Sequence, residues 1–142
     1  NGLDGGEITV YKFRSMRARD NGPIVAQATK DDPRITPFGA FLRKTSLDEL
    51  PQFFNVLQGR MSIVGPRPTV PAQVARYTDE QRGRLRARPG VTGLAQVRGR
   101  ATLPWSERIA IDLEYIDNWS LILDLKILFK TIPVVLMAKG AK

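Results

Sequence analysis

Two adjacent carboxylates, Asp48 and Glu49, stand in the run Thr45-Ser46-Leu47-Asp48-Glu49-Leu50-Pro51-Gln52-Phe53-Phe54-Asn55 of a chain with no histidine and no cysteine. Nucleophilic or metal-assisted chemistry in such a chain has to run on carboxylates. The local sequence admits two placements for the pair. Ser46-Leu47-Asp48-Glu49 fits a capping box, in which Glu49 reaches back to the serine amide and the acids are structural. A helix begun there would carry Pro51 in its second turn, where the missing N–H removes an intrahelical bond, whereas proline is favoured at the first helical position. A start near Pro51 is therefore preferred, and it sets the acids at a helix mouth, where N–H groups and the positive dipole end attract phosphate.

Three further constellations could serve an anionic substrate. In Met61-Ser62-Ile63-Val64-Gly65-Pro66-Arg67-Pro68, two prolines hold Arg67 in a stiff loop. Such a loop lowers the entropy cost of gripping a phosphate with a guanidinium, although a plain rigid turn has the same sequence. In Tyr11-Lys12-Phe13-Arg14-Ser15-Met16, a period of two places Lys12 on the face of Ile8 and Val10. Its ammonium either neutralises a carboxylate or a diphosphate, or snorkels from a strand end. Asp112 has Ile109 and Ile116 at i−3 and i+4, and Asp124 has Leu121 and Leu128 at the same offsets. Each acid among apolar neighbours calls for an arginine or a metal, or else forms a buried salt bridge that orders the core.

The elements that must carry these residues follow from periodicity and breakers. A strand is expected over Glu7 to Phe13, then a polar loop from Arg17 to Pro33, long enough to be functional. Helices are expected from Pro37 to Lys44, from Pro51 to about Gln58 with Gly59 as the stop, and from Val70 to about Leu85. After the turn at Arg88-Pro89-Gly90, Val91 to Val97 reads as a short strand, followed by helices from Ser106 to Asp117 and from Ser120 onward. The expected fold is a small, mostly helical α/β domain with a few short strands, formed by residues 1–142 as one unit.

The chain's 142 residues carry a net charge of +8, which favours an anionic partner: nucleic acid, a membrane surface or a phosphorylated substrate. The absence of cysteine closes the zinc-finger and thiol-enzyme readings and suits a cytoplasmic setting. Most arginines of the cluster Arg82, Arg84, Arg86 and Arg88 are expected to be solvated. Phe13, Phe38, Phe41, Phe53 and Phe54 fall in apolar runs expected to form core or interface rather than a base-stacking platform, which argues against nucleic acid. The apolar stretch Leu121 to Ala138 is broken by Asp124, Lys126, Lys130 and Pro133 and falls short of the roughly 20 apolar residues of a membrane span. With Asn1 opening partway through a structural unit, the native protein is expected to extend further upstream.

In order, Lys12-Phe13-Arg14-Ser15-Met16, Asp32-Pro33-Arg34-Ile35-Thr36, Leu47-Asp48-Glu49-Leu50-Pro51-Gln52, Val64-Gly65-Pro66-Arg67-Pro68, Arg88-Pro89-Gly90-Val91-Thr92-Gly93 and Asp124-Leu125-Lys126-Ile127-Leu128 resemble the motifs of the bacterial sugar transferase family. These are the monotopic phosphoglycosyl transferases that begin lipid-linked glycan assembly. The resemblance covers nearly the whole chain, and its collinearity makes it specific.

The resemblance implies transfer of a phosphosugar from a nucleotide diphosphate sugar, usually a UDP-sugar, to polyprenyl phosphate at the cytoplasmic face of the bacterial inner membrane. It implies that Asp48 attacks the β-phosphorus and expels UMP, and that Glu49 supports Mg²⁺, held by Asp48 and Glu49, or assists the acceptor. It also gives functional weight to Lys12, Arg67, Arg100, Asp112 and Asp124 as binders of the substrate, and to an amino-terminal re-entrant membrane helix absent from this chain. Apolar residues near Phe129, Ile132 and Val135 are expected either at a membrane interface or in the core. A homo-oligomer is admitted. The competing reading is a non-catalytic basic module that docks on anionic lipid or nucleic acid by charge alone, with salt-sensitive binding indifferent to Asp48.

Overall fold

A computed structural model describes residues 1–18, 28–29, 31–99 and 102–137. Two three-residue strands, β1 (Ser62–Val64) and β2 (Gly90–Thr92), pair in parallel with Ser62 opposite Gly90 and Val64 opposite Thr92. A parallel pair needs a crossover, and residues 65–89 supply it. The chain passes within van der Waals reach of itself where it leaves β1 and enters β2. A side chain on Gly65 would strike the Arg88 carbonyl, and one on Gly90 would strike the Gly65 backbone. The glycines of both motifs are thus required by packing of main chain on main chain.

Around this pair lie α1 (Pro37–Thr45), α2 (Gln52–Leu57), α3 (Pro71–Val74), α4 (Asp79–Arg82), α5 (Leu94–Arg98), α6 (Trp105–Asp117) and α7 (Leu121–Leu136). The starts of α1 and α7 are written locally. Thr36 accepts from the Gly39 amide at 2.9 Å with Pro37 next in line, and Ser120 accepts from the Leu123 amide at 3.0 Å. The main core joins Val64 of β1, Leu94 and Ala95 of α5, Ile111 and Tyr115 of α6 and Ile127 of α7, and a second cluster joins Val74, Tyr77 and Ile109. The result is the mostly helical α/β domain that the sequence leads one to expect.

Several elements depart from expectation for identifiable reasons. Glu7 to Phe13 forms no strand. Its backbone is held by a side chain, because Asn55 donates to Thr9 O at 2.7 Å and accepts from Tyr11 N at 3.1 Å. The helix expected from Val70 to Leu85 is broken into α3, α4 and a 3-10 turn at Gly83–Arg86. Thr78 and Gln81 form a reciprocal capping box that starts a new helix in mid-run. The strand expected over Val91 to Val97 ends at Thr92, and Leu94 onward is helical because α5 packs on α6 and α7. Most of the Arg17 to Pro33 loop lies outside the described residues.

The aromatic runs also depart from a core placement. Phe13, Phe38, Phe41, Phe53 and Phe54 are all exposed, with Phe38 and Phe41 stacked 6.3 Å apart. On α7, Ile122, Leu125, Phe129, Ile132 and Leu136 repeat at helical spacing and stay exposed, while Val135 is half-buried. Core packing is therefore excluded for Phe129 and Ile132. No helix among the described residues is long and apolar enough to cross a membrane.

Candidate active site

The acid pair sits on a one-turn hinge between α1 and α2. Ser46 closes α1 in the left-handed region at φ 59°, and its side chain caps nothing at the helix that follows. Leu47–Glu49 then form a 3-10 turn, and Pro51 stands at the N-cap of α2. The capping-box alternative is thereby excluded and the start near Pro51 holds. The helix mouth is largely closed, however. The amides of Glu49, Leu50, Phe53 and Phe54 bond to Ser46, Leu47, Leu50 and Pro51 carbonyls at 3.1–3.2 Å, so few free donors face a phosphate.

Cationic side chains supply what the helix mouth lacks. Lys12 Nζ lies 3.2 Å and Arg67 Nη2 2.9 Å from the same Glu49 oxygen, Oε1. The amino-terminal segment is brought there by Asn55 and by the Phe13 amide, which donates to Asp48 O at 2.9 Å. Though no strand forms, Ile8, Val10 and Lys12 all line a cleft of about 470 Å³, together with Glu7, Gln52 and Arg67.

The surroundings of the two carboxylates shift them in opposite directions. Burial raises Glu49, but Arg67 and Lys12 outweigh it and hold its pKa below the ordinary value. Burial and the Glu49 charge raise Asp48, with Lys12 and Arg43 only partly offsetting them. Among the described residues no side chain hydrogen-bonds to the Asp48 carboxylate, and its own backbone N–H is the donor that acts on it. Adjacent acids pushed apart by their surroundings can take different chemical roles.

The family model for bacterial sugar transferase matches residues 1–138. The chain belongs to the bacterial sugar transferase family. Among its relatives in this family, UDP-glucose:undecaprenyl-phosphate glucose-1-phosphate transferase of Escherichia coli K12 is 51% identical over 139 residues, covering 92% of this chain and 30% of the relative. Exopolysaccharide production protein ExoY of Sinorhizobium fredii is 51% identical, covering 99% of this chain and 69% of the relative. Undecaprenyl-phosphate galactose phosphotransferase of Salmonella typhimurium is 48% identical, covering 99% and 33%. The chain thus spans about 30% of the length of the Escherichia coli relative.

Within this sugar transferase domain, the structure gathers Lys12, Asp48, Glu49 and Arg67 and leaves the other expected binders elsewhere. Asp112 is buried behind the site with its Oδ2 2.6 Å from Arg84 Nε, the salt-bridge alternative. Asp124 accepts from Tyr115 Oη at 2.6 Å and from Trp119 Nε1 at 3.2 Å, between α6 and α7. Burial, then the Asp124 hydrogen bond and charge, hold the Tyr115 phenol well above its ordinary pKa, so it stays a donor. Arg100 lies outside the described residues.

The residue that sequence reasoning missed is Arg84. Arg82, Arg86 and Arg88 are exposed as expected of the cluster, but Arg84 is buried. Besides Asp112 it donates to Tyr77 Oη at 2.6 Å and to the Arg67 carbonyl at 2.8 Å, so it anchors the loop that aims Arg67. Gln52 and Asn55 are likewise buried polar residues to which the sequence alone assigns no role. Polar residues at helical spacing after the acid pair were the available signal.

The oxygen donors of Asp48 and Glu49 fit a hard cation. Among the described residues no group of three or more His, Cys, Asp or Glu side chains could cage a metal. A cation here would share one or two carboxylates with substrate phosphates, the manner in which Mg²⁺ is commonly held.

Proposed function

We propose that this domain transfers a sugar 1-phosphate from a UDP-sugar to a polyprenyl phosphate, in two steps through a phosphosugar carried on Asp48. The observation that carries the reading is the division of labour between the adjacent acids. Glu49 commits one oxygen to both Lys12 and Arg67, while Asp48, half-buried, has no side-chain hydrogen-bond partner among the described residues and is the acid available for attack. The family and the printed activities of the relatives support the choice of donor and acceptor.

In the first step an Asp48 carboxylate oxygen bonds to the β-phosphorus of the donor. The bond from that phosphorus to the bridging oxygen breaks, and UMP leaves with the electron pair. In the second step a phosphate oxygen of the acceptor attacks the same phosphorus, the bond to Asp48 breaks, and the carboxylate is restored as a new diphosphate forms. Lys12 and Arg67, exchanging Glu49 for diphosphate oxygens, neutralise charge that builds on the phosphorus oxygens. Glu49 keeps both cations in place before the donor arrives and, with Asp48, would hold Mg²⁺, which supplies further charge neutralisation when bound.

The exposed stripe of α7 and the net charge of +8 support work at an anionic membrane surface on its cytoplasmic side, where a polyprenyl acceptor is presented. The reading places the protein at the start of surface polysaccharide assembly. The deciding experiment incubates the full chain with Mg²⁺, polyprenyl phosphate and a panel of UDP-sugars and measures UMP. Release by the parent and not by Asp48→Asn is expected, with a phosphosugar adduct on the Asp48 peptide in mass spectra. Full transfer by Asp48→Asn would sink the mechanism.

A further inference from the structure

Both polar atoms of the Gln96 side chain, Oε1 and Nε2, are buried and have no hydrogen-bond partner among the described residues. Gln96 is 9% exposed and lies on α5, whose Leu94 and Ala95 belong to the main core. An amide with neither end engaged inside a protein is rare and costly, so a partner has to be close at hand. The packing at Gly93 shows which group that is. A Cβ on Gly93 would strike the Gly65 carbonyl oxygen and stand 2.8 Å from Gln96 Oε1, so the two oxygens border the same spot.

That carbonyl is itself short of a donor. Three successive carbonyls, those of Gly65, Pro66 and Arg67, lead the chain from β1 into the loop that carries Arg67. Pro66 O accepts from the Gly90 amide and Arg67 O from Arg84 Nη2, both at 2.8 Å, whereas among the described residues nothing donates to Gly65 O. Gly65 is buried, so its carbonyl has no ready access to water. The prolines fix φ at positions 66 and 68, but the Gly65–Pro66 peptide plane still turns about the glycine's ψ. Holding its carbonyl removes that remaining freedom. A half-turn about the soft terminal torsion of Gln96 exchanges Oε1 for Nε2 and turns a donor, in place of a second acceptor, toward the carbonyl. We infer that Gln96 donates to the Gly65 carbonyl and is a positioning residue for Arg67, fixing the near end of the loop whose other side Arg84 holds. The inference rests on the transferase reading only in giving Arg67 a diphosphate to grip.

The test is equilibrium binding of inorganic pyrophosphate to the full chain, which requires no turnover. Gln96→Leu, similar in size but without the donor, is expected to bind about fivefold more weakly than the parent. In an Arg67→Ala background, where Lys12 is left to hold the anion, the same substitution is expected to weaken binding no further, because Gln96 acts through Arg67. A role confined to the core would not produce this coupling. Unaltered binding by Gln96→Leu, or an equal loss in both backgrounds, overturns the inference. A second measurement needs no variant and so does not depend on the folding of one. In the parent, nuclear Overhauser contacts are expected from the Gln96 Nε2 protons to the Gly93 α-protons, with slow exchange of the amide protons with water. Absence of those contacts leaves the oxygen facing the carbonyl and overturns the inference. UMP release from UDP-sugars is scored separately. A protein that shows the contacts and the coupling but releases no UMP contradicts the transferase reading and leaves this one standing, whereas UMP release without the coupling overturns this one alone.

Discussion

Arg84 donates to the backbone carbonyl of Arg67 at 2.8 Å while its Nε is held by Asp112 at 2.6 Å. A buried ion pair therefore fixes the main chain from which the site's most exposed cation is aimed. Replacing Arg84 by Met should destabilise the fold by about 3–5 kcal/mol, because Asp112 is left buried and unpaired. Adding Asp112→Leu should return most of that stability without restoring the anchor on Arg67. Denaturant unfolding and UMP release together separate the roles. The double variant is expected to be stable yet slow, and full activity in it would mean that Arg84 only supports the core.

Glu49 and Asp48 should differ in how their neutral isosteres behave. Glu49→Gln releases Lys12 and Arg67 from their shared oxygen but leaves the nucleophile, so single-turnover UMP release should slow by about 10²-fold rather than vanish. Equal loss in the two variants would show that the acids act as one unit.

Asn55 bonds the Thr9 carbonyl and the Tyr11 amide, the segment that delivers Lys12. Asn55→Leu should cost about 1–3 kcal/mol, the penalty for buried backbone groups left unpaired. It should also raise KM for the donor, since Lys12 loses its anchor. Unchanged KM at reduced stability would confine Asn55 to the fold.

Asp32 is gripped by Arg34 through Nε at 2.9 Å and Nη2 at 2.6 Å, and also accepts from the Arg34 amide. Those bonds hold its folded pKa below the ordinary 3.8. A depressed carboxylate stabilises the fold above its unfolded pKa and loses that contribution as pH falls through its folded value. The stability advantage of the parent over Asp32→Asn should therefore be full at neutral pH and shrink below about pH 4. A difference that does not vary with pH would contradict this linkage.

Phe129 and Ile132 lie on the exposed stripe of α7. If that stripe meets a membrane, Phe129→Asp with Ile132→Asp should reduce co-sedimentation with anionic vesicles about tenfold or more while leaving the melting temperature nearly unchanged. Salt should weaken the remaining binding, which is carried by Lys and Arg. Undiminished vesicle binding by the variant would move the contact elsewhere.

Much of this domain was legible in the chain itself. The starts of α1 and α7 are encoded by Thr36-Pro37 and Ser120, where short side chains and a proline act on neighbouring amides. The acid pair could be found because a chain without histidine or cysteine leaves few other reactive groups. Pro51 excluded the capping box because a missing N–H is a local fact. Lys12 and Arg67 were singled out as cations, but their meeting on one Glu49 oxygen joins segments 37 and 18 residues distant in sequence, which no local rule reaches. Tertiary structure alone decided which acids are catalytic candidates and which are buried partners. Asp112 and Asp48 look alike by type, yet one is matched to Arg84 in the core and the other has no side-chain hydrogen bond among the described residues. It also decided that Arg84 turns inward among exposed arginines, that Asn55 replaces a neighbouring strand, and that the phenylalanines stay outside. In each case the physical reason is the same. Capping and turn chemistry act within a few residues, whereas burial and charge pairing depend on which distant segments close over a given side chain.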